Sequence, residues 1–173
     1  MTAVVLIGLV GLAALGVTGA LLFARSTEAR QLDYPVNQAR LAIAARTTGE
    51  DHAEIAVTFT PTVESGHFYG TSMPRGGIDG AGRPTLVELV GADWSADGPV
   101  VESATARDQV LPGFSAPFQL YPDGPVTLRL PIRRVAAGSV GPVRVALTFM
   151  VCTTSGVCFP PVERAVVDVL IAR

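Results

Sequence analysis

The sequence predicts an all-β domain, and three observations lead to this prediction. Apolar and polar residues alternate with period two in several segments after residue 38, as in half-buried strands. Clusters of Gly, Pro, Asp and Thr separate these segments. No segment after residue 38 has the helical period. About seven to nine short strands with this spacing are typical of an antiparallel β-sandwich of immunoglobulin type.

The strands are predicted in chain order from this alternation and from the turns that interrupt it. The first two lie at 41–45, before a Thr-Thr-Gly-Glu-Asp turn, and at 55–59, before Pro61. A short segment at 67–69 precedes a Gly/Pro-rich loop, and a strand at 86–90 precedes a loop with Trp94. Val100 begins another short segment. The last three strands follow the Pro-Asp-Gly-Pro turn and lie at 126–132, 143–151 and 165–171.

The N-terminal segment is apolar and differs from the rest of the chain. Residues 3–24 carry no charge, a length that can span a bilayer as one helix. We therefore expect a transmembrane anchor or signal segment at 1–25, a polar linker at 26–37 and the β-sandwich domain at 38–173. The length favours an uncleaved anchor over a signal peptide, whose apolar core is about 7–15 residues.

Charge composition constrains the partners and the compartment. All 13 basic residues are Arg and the net charge is −2, so the sequence does not predict nucleic-acid binding. Arg25 and Arg30 after the apolar segment favour a cytoplasmic domain by the positive-inside rule. The close pair of cysteines favours an oxidising compartment, and we give it more weight. We expect an extracytoplasmic domain anchored by its N-terminal helix.

Cys152 and Cys158 are the only cysteines, and they lie in the connection between the last two predicted strands. A Thr/Ser/Gly turn separates them, and Pro160 and Pro161 then end the pairing. Such a hairpin end places two sulfurs near the surface, where thiol–disulfide exchange is feasible. The alternative is a non-catalytic binding or assembly β-sandwich whose disulfide is structural, although closing so short a loop contributes only about 2–2.5 kcal/mol in the entropy model.

Metal binding is a further alternative for the cysteine pair. Zinc would need more ligands, and only His52 and His67 are available. Copper(I) held by the cysteines with Met150 or Met73 is chemically feasible, because soft sulfur ligands suit it. No ligand geometry is fixed by the sequence, so we expect neither a metal site nor a cofactor.

Three segments carry a resemblance to a known family. The run 151–163, Val-Cys-Thr-Thr-Ser-Gly-Val-Cys-Phe-Pro-Pro-Val-Glu, resembles the active-site hairpin of the N-terminal domain of thiol:disulfide interchange protein DsbD. The segment 66–70 is similar to the family's Gly-Trp-His-Ile-Tyr type of segment. Phe114, Tyr121 and the strand 126–131 resemble the family's cap loop and the strand after it. The resemblance covers residues 37–172.

The resemblance implies a function and roles for individual residues. The family has an immunoglobulin-like fold in the periplasm. It passes reducing equivalents from the thioredoxin-like module of a membrane electron transporter to periplasmic thiol proteins, in processes such as cytochrome c biogenesis. Cys152 and Cys158 would be the redox pair of a thiol-disulfide oxidoreductase, with Cys158 forming mixed disulfides. Phe114 would cap the pair, and His67 and Tyr69 would line the site.

The sequence also departs from the family pattern. It has neither a multi-helix membrane domain nor a thioredoxin domain, so we expect a separate membrane electron transporter and thioredoxin-like partners. The segment 112–117 lacks the acidic residues expected around the cap. A second interpretation remains open for two residues. Phe114 could belong to the core, and His67 could be a half-buried strand residue that does not change the pKa of the thiols.

Overall fold

The computed structural model describes residues 29–135 and 141–172. The predicted helix at 1–25 lies outside the described residues. Within the described ranges, no helix is long and apolar enough to cross a membrane. Regular structure in these ranges consists of β-strands, which confirms the predicted all-β class.

The described residues contain thirteen strands, numbered β1 to β13. In chain order they are β1 (Arg30–Tyr34), β2 (Ala39–Thr47), β3 (His52–Pro61), β4 (Gly66–His67), β5 (Leu86–Val90), β6 (Trp94–Ala96), β7 (Val101–Glu102), β8 (Arg107–Gln109), β9 (Phe118–Leu120), β10 (Val126–Arg134), β11 (Val143–Phe149), β12 (Cys152–Thr153) and β13 (Val162–Val169).

Two antiparallel sheets contribute to one hydrophobic core. The larger sheet has the order β1-β2-β3-β10-β6, with β7 also paired to β10. The smaller sheet has the order β13-β11-β5. Buried residues of β2, β3 and β10 form one cluster with buried residues of β5, β11 and β13, as expected for two sheets packed face to face. The predicted sandwich is confirmed.

Aromatic rings fill the end of this core that adjoins the cysteine hairpin. Phe59, Phe68 and Phe149 are each 0% exposed. Their ring centroids lie 5.7 to 6.2 Å apart in edge-to-face arrangements. Burying each such ring contributes about 1.5–3 kcal/mol, and each ring pair about 0.5–1.5 kcal/mol more. The hairpin is therefore supported by a well-packed layer that does not depend on the sulfurs.

The structure differs from the sequence prediction at several short strands. Residues 30–34, for which a polar linker was predicted, form β1 and pair with 39–43 of β2. The segment around Trp94 was predicted to be a loop, but it forms β6 beside β10. The Arg134 guanidinium lies 4.8 Å from the centre of the Trp94 ring. These strands are short and border the sheet, so each offers only two alternating apolar residues, too few to distinguish a half-buried strand from a loop.

Candidate functional site

The connection from β11 to β13 forms a small hairpin that carries both cysteines. The backbone N–H of Thr153 donates to the carbonyl of Val157 at 2.8 Å, and Gly156 has a positive φ of 88° in the turn between them. The Thr153 hydroxyl accepts from the Val157 N–H at 3.1 Å. A glycine adopts this left-handed conformation without steric cost. Cys152 and Cys158 are thereby placed directly opposite each other.

Cys152 and Cys158 form a disulfide whose two sulfur-bearing residues have different environments. Their Cα atoms are 4.0 Å apart. Cys152 is 2% exposed, whereas Cys158 is exposed to solvent. An attacking sulfur must approach along the axis of the S–S bond. The exposed Cys158 is therefore the accessible end of this bond.

Strand β4 pairs with β12 and brings His67 opposite Cys152. Side chains alternate across this strand pair and its extension. Phe68 points into the main core. Tyr69 instead belongs to a second buried cluster with Cys152 and Phe118. The predicted site-lining residues His67 and Tyr69 therefore share the face of the cysteine pair.

The Tyr69 hydroxyl is bonded to the buried sulfur. It donates a hydrogen bond to Cys152 Sγ at 2.9 Å and lies 3.8 Å from Cys158 Sγ. Burial raises the pKa of Tyr69 above its ordinary value, so the phenol remains a donor at neutral pH. A hydrogen bond to sulfur strengthens when the sulfur becomes a thiolate, because the acceptor then carries charge. The Tyr69 hydroxyl is therefore placed to donate to a thiolate at Cys152.

His67 is 6% exposed and lies between Tyr69 and Asp123. Its Nδ1 is 3.7 Å from Asp123 Oδ1, and its ring packs against the Tyr69 ring with centroids 5.8 Å apart. Burial lowers the pKa of His67, and the Asp123 carboxylate only partly opposes the shift. A neutral imidazole therefore adjoins the cysteine pair at pH 7.

An open cavity of about 700 Å³ lies beside the disulfide. All five predicted site residues line it: Cys152, Cys158, His67, Tyr69 and Phe114. The other lining residues come from the cysteine hairpin, from β8, from the loop between β8 and β9, from β9 and the segment 121–123 after it, and from the loop before β5 through Ala81. A cavity of this size with an apolar floor and a few polar groups is typical of a binding site.

Phe114 lies on the wall of the cavity in the loop between β8 and β9. Its side chain is 37% exposed, and its ring packs edge-on against Phe118 with centroids 4.8 Å apart. It is not among the buried residues of either cluster. Its placement fits a loop residue beside the cysteines, and its capping role remains a prediction.

Sequence reasoning did not find the contacts that hold this loop. The Asp79 carboxylate accepts hydrogen bonds from the Ser115 N–H at 2.7 Å and from the Ser115 hydroxyl at 2.8 Å. These bonds lower the pKa of Asp79. The two residues are 36 positions apart, so no local pattern connects them. The sequence did contain one signal for this region: Phe118 alternates with Leu120, as apolar residues of a half-buried strand do.

The loop that contains Asp79 is itself connected to the cysteine hairpin. The Arg83 guanidinium donates to the carbonyls of Gly76, Gly80 and Gly82 at 2.7 to 3.0 Å. It also pairs with Glu163 at 2.6 Å, at the start of β13. Glu163 thus supports the loop through Arg83.

The candidate metal ligands differ in their surroundings within the described residues. In 29–135 and 141–172, no group of three or more His, Cys, Asp and Glu residues could hold a metal ion. His52 pairs with Asp97 at 3.4 Å on the surface. Met73 and Met150 do pack in the cluster of Cys152. The Met73 sulfur, however, already accepts the Gln119 N–H at 3.4 Å.

Solved structures similar to this chain include three domains. The N-terminal periplasmic domain of ScsB from Proteus mirabilis matches with a TM-score of 0.50 and 14% identity, over 80% of this chain and 49% of that chain. The reduced N-terminal domain of DsbD from Neisseria meningitidis matches with a TM-score of 0.47 and 17% identity, over 79% and 88%. The GAE domain of GGA2p from Saccharomyces cerevisiae matches with a TM-score of 0.41 and 11% identity, over 80% and 94%.

The similarity to ScsB establishes a shared fold. This chain spans about half the length of that ScsB structure. No protein-family model matches the sequence, and no curated protein does so either. The ScsB domain confirms, at the level of the fold, the resemblance found in the sequence.

Proposed function

We propose that this domain performs thiol:disulfide interchange outside the cytoplasm, with Cys152 and Cys158 as its redox pair. One observation carries the proposal: the disulfide joins an exposed residue to a buried one whose sulfur is hydrogen-bonded, beside an open cavity. The exposed sulfur is accessible to a partner. The buried sulfur has a donor that stabilises it as a thiolate.

The exchange runs through Cys158. A thiolate of a dithiol partner attacks Cys158 Sγ, the bond to Cys152 breaks, and Cys152 leaves as a thiolate that accepts the Tyr69 hydrogen bond. The partner's second thiolate then attacks the partner sulfur that is bonded to Cys158, and Cys158 is released as a thiolate. The partner has become a disulfide and the domain a dithiol. The reverse sequence transfers the two electrons to a client disulfide.

The proposed setting follows the domain order expected from the sequence. Residues 1–25 anchor the chain in the inner membrane. The periplasmic domain, predicted at 38–173, also includes β1 at Arg30–Tyr34, which lies within the predicted linker at 26–37. A separate membrane electron transporter supplies reducing equivalents, and thioredoxin-like proteins are the exchange partners. The periplasmic placement is supported by the ScsB neighbour, which is a periplasmic domain.

The alternative of a structural disulfide predicts a different reduction potential. The reduction potential of a structural disulfide lies below about −300 mV, whereas that of a carrier disulfide lies above this value. The pair closes a loop between residues only six positions apart, at the end of the hairpin. We therefore expect a potential above about −300 mV and a reduced domain that keeps its far-UV circular dichroism. Loss of the β signal on reduction would instead assign the disulfide a structural role.

Single cysteine variants test the assignment of the two sulfurs. We expect the Cys152→Ser variant, which retains Cys158, to form a mixed disulfide with an oxidised thioredoxin-like protein. The matched Cys158→Ser variant retains only the buried Cys152 and should react much more slowly. The opposite order of rates would refute the role of Cys158. Stoichiometric binding of Cu(I) by the reduced wild-type protein would support the copper alternative.

A further inference from the structure

Cys152 lies in the middle of a row of three side chains. It is opposite Cys158 on one side, as an antiparallel bridge across the hairpin. On its other side it is opposite His67, because β12 pairs with β4 in antiparallel register. Directly opposite residues of neighbouring strands place their side chains on the same face of a sheet. Cys158, Cys152 and His67 therefore form a row, and all three line the cavity.

The strand register brings the imidazole of His67 close to the thiol of Cys152. The N–H of Thr154 donates to the carbonyl of Ser65 at 3.2 Å, and hydrogen-bonded pairs recur at every second residue of an antiparallel ladder. Cys152 and His67, two positions along their strands, are therefore also a hydrogen-bonded pair. The Cα atoms of such a pair are about 5.5 Å apart, a separation at which a histidine ring nitrogen can reach the thiol of the facing cysteine.

Asp123 determines which nitrogen of His67 is available. Its Oδ1 lies 3.7 Å from Nδ1, and a carboxylate on this side favours the tautomer with its proton on Nδ1. The other nitrogen, Nε2, then keeps its lone pair. Within residues 29–135 and 141–172 no hydrogen bond reaches Nε2, so this nitrogen is free to accept a proton.

Cys152 needs a proton acceptor that Cys158 does not need. A thiol must become a thiolate before it attacks a disulfide. Cys152 is 2% exposed, and a buried thiol ionises less readily than one in water because its charged form loses solvation. Cys158 is exposed, so solvent can take its proton.

We propose that His67 Nε2 accepts the proton of the Cys152 thiol when Cys152 attacks the mixed disulfide at Cys158, and that Asp123 orients the imidazole. This inference rests on the proposed exchange function and adds the base for its second step. Burial lowers the pKa of His67, so the imidazole is neutral at pH 7 and able to act as a base.

Both products of this proton transfer have a partner in the site. The Cys152 thiolate accepts the hydrogen bond of the Tyr69 hydroxyl, which lies 2.9 Å from Sγ. The imidazolium of His67 faces the Asp123 carboxylate at 3.7 Å. The arrangement of nucleophile, base and orienting carboxylate follows the order that an activated nucleophile requires.

The reduction of a partner disulfide balances without another reactant. The Cys158 thiolate attacks one partner sulfur, and the other partner sulfur leaves as a thiolate. The Cys152 proton then moves to His67 Nε2, and the Cys152 thiolate attacks Cys158 Sγ. The bond between Cys158 and the partner breaks, and the first partner sulfur leaves as a thiolate. The partner gains two electrons, the domain is oxidised to its disulfide, and the imidazolium returns its proton to solvent through the open cavity.

The other ionisable groups that face the cavity around His67 lie on separate elements. Arg107 and Asp108 belong to β8, and Tyr121 follows β9. The Tyr121 hydroxyl donates to Glu102 at 2.7 Å, and burial raises its pKa, so it stays neutral. Within residues 29–135 and 141–172, His67 is the only imidazole that lines the cavity, and an imidazole is the side chain suited to exchange protons near pH 7.

The test follows the reaction of the reduced full-length chain with dithiobis(nitrobenzoate), an aromatic disulfide that releases a coloured thiolate at each exchange step. The first release reports attack by Cys158, and the second reports attack by Cys152 on the mixed disulfide. Both rates are measured across pH in the wild type, His67→Gln and Asp123→Asn. His52→Gln and Asp97→Asn are matched controls, because these two residues also pair, at 3.4 Å, but on the surface.

We expect His67→Gln to slow the second release about a hundredfold at pH 7, as for loss of a general base, and to leave the first release unchanged. Asp123→Asn should slow the second release about two- to fivefold, and both controls should match the wild type. The slowing should disappear at alkaline pH, where hydroxide ionises Cys152 directly and a base is no longer needed. A loss of packing would instead slow the reaction at every pH.

A wild-type rate of the second release in His67→Gln at pH 7, or a slowing that is equal at all pH values, would overturn the role of His67 and leave the exchange function standing. The Asp123 side chain is 46% exposed, so Asp123→Asn keeps the test valid if His67→Gln does not fold. A second release that is equally fast in Asp123→Asn and Asp97→Asn would overturn the role of Asp123. Absence of the first release in the wild type would overturn the exchange function itself.

Discussion

Replacing Tyr69 by Phe should slow thiol–disulfide exchange because it removes the hydroxyl from Cys152. The hydroxyl lies 2.9 Å from Cys152 Sγ, and the tyrosine is 4% exposed, so water cannot easily replace it. A hydrogen bond to a charged acceptor contributes about 1.5–3 kcal/mol, against about 0.5–1.5 kcal/mol for a neutral one. The difference, about 1–1.5 kcal/mol, corresponds to roughly one pKa unit of the leaving thiol and a rate change approaching tenfold.

The assay is the rate at which dithiothreitol reduces the oxidised domain, followed across pH, together with the pKa of the Cys152 thiol. We expect Tyr69→Phe to raise that pKa and to slow reduction, while the free energy of unfolding changes by less than about 1.5 kcal/mol. Tyr121→Phe is the matched control, because Tyr121 is also buried but its hydroxyl donates to Glu102 at 2.7 Å. An unchanged rate and pKa in Tyr69→Phe, or an equal change in both variants, would refute this role of the hydroxyl.

Three further variants test the surroundings of the cysteines. Phe114→Ala should speed oxidation of the reduced cysteine pair by oxidised glutathione, and it should lower the free energy of unfolding by less than the roughly 3–5 kcal/mol of a core Phe→Ala change. An unchanged rate together with a large loss of stability would place Phe114 in the core. Asp79→Ala should also speed oxidation of the reduced cysteine pair, because it removes both hydrogen bonds between Asp79 and Ser115 in the Phe114 loop. An unchanged rate would show that these hydrogen bonds do not hold the loop. His67 has a lowered pKa in the fold, so the unfolded chain binds more protons and stability falls as pH drops below about 6.5. Denaturant titrations between pH 7 and 5 should show this loss in the wild type and in His52→Gln, and less of it in His67→Gln.

Much of the fold follows from local pattern. The alternation at 41–45, 55–59 and 126–132 lies inside β2, β3 and β10, because a half-buried strand must place apolar residues on one face. Strands β1 and β8 were not found in the sequence. All three residues of β8 are exposed, so its free energy of formation comes mainly from backbone pairing and leaves little trace in side-chain type. Strand β1 adds only Leu32 and Tyr34 to the core, which is too few alternating residues for a strand prediction.

The candidate site can likewise be divided into features that the sequence predicts and features that only the tertiary structure determines. The sequence by itself determined the cysteine pair in a hairpin, because spacing and turn chemistry are local properties of the chain, and the resemblance to the DsbD family implied His67 and Tyr69 as residues that line the site. Only the tertiary structure decided that Cys152 is buried and Cys158 exposed. It alone brought the Tyr69 hydroxyl to the buried sulfur, across 83 positions of sequence. The physical reason is that burial and hydrogen-bond partners depend on which distant segments pack together, and no local pattern records that choice.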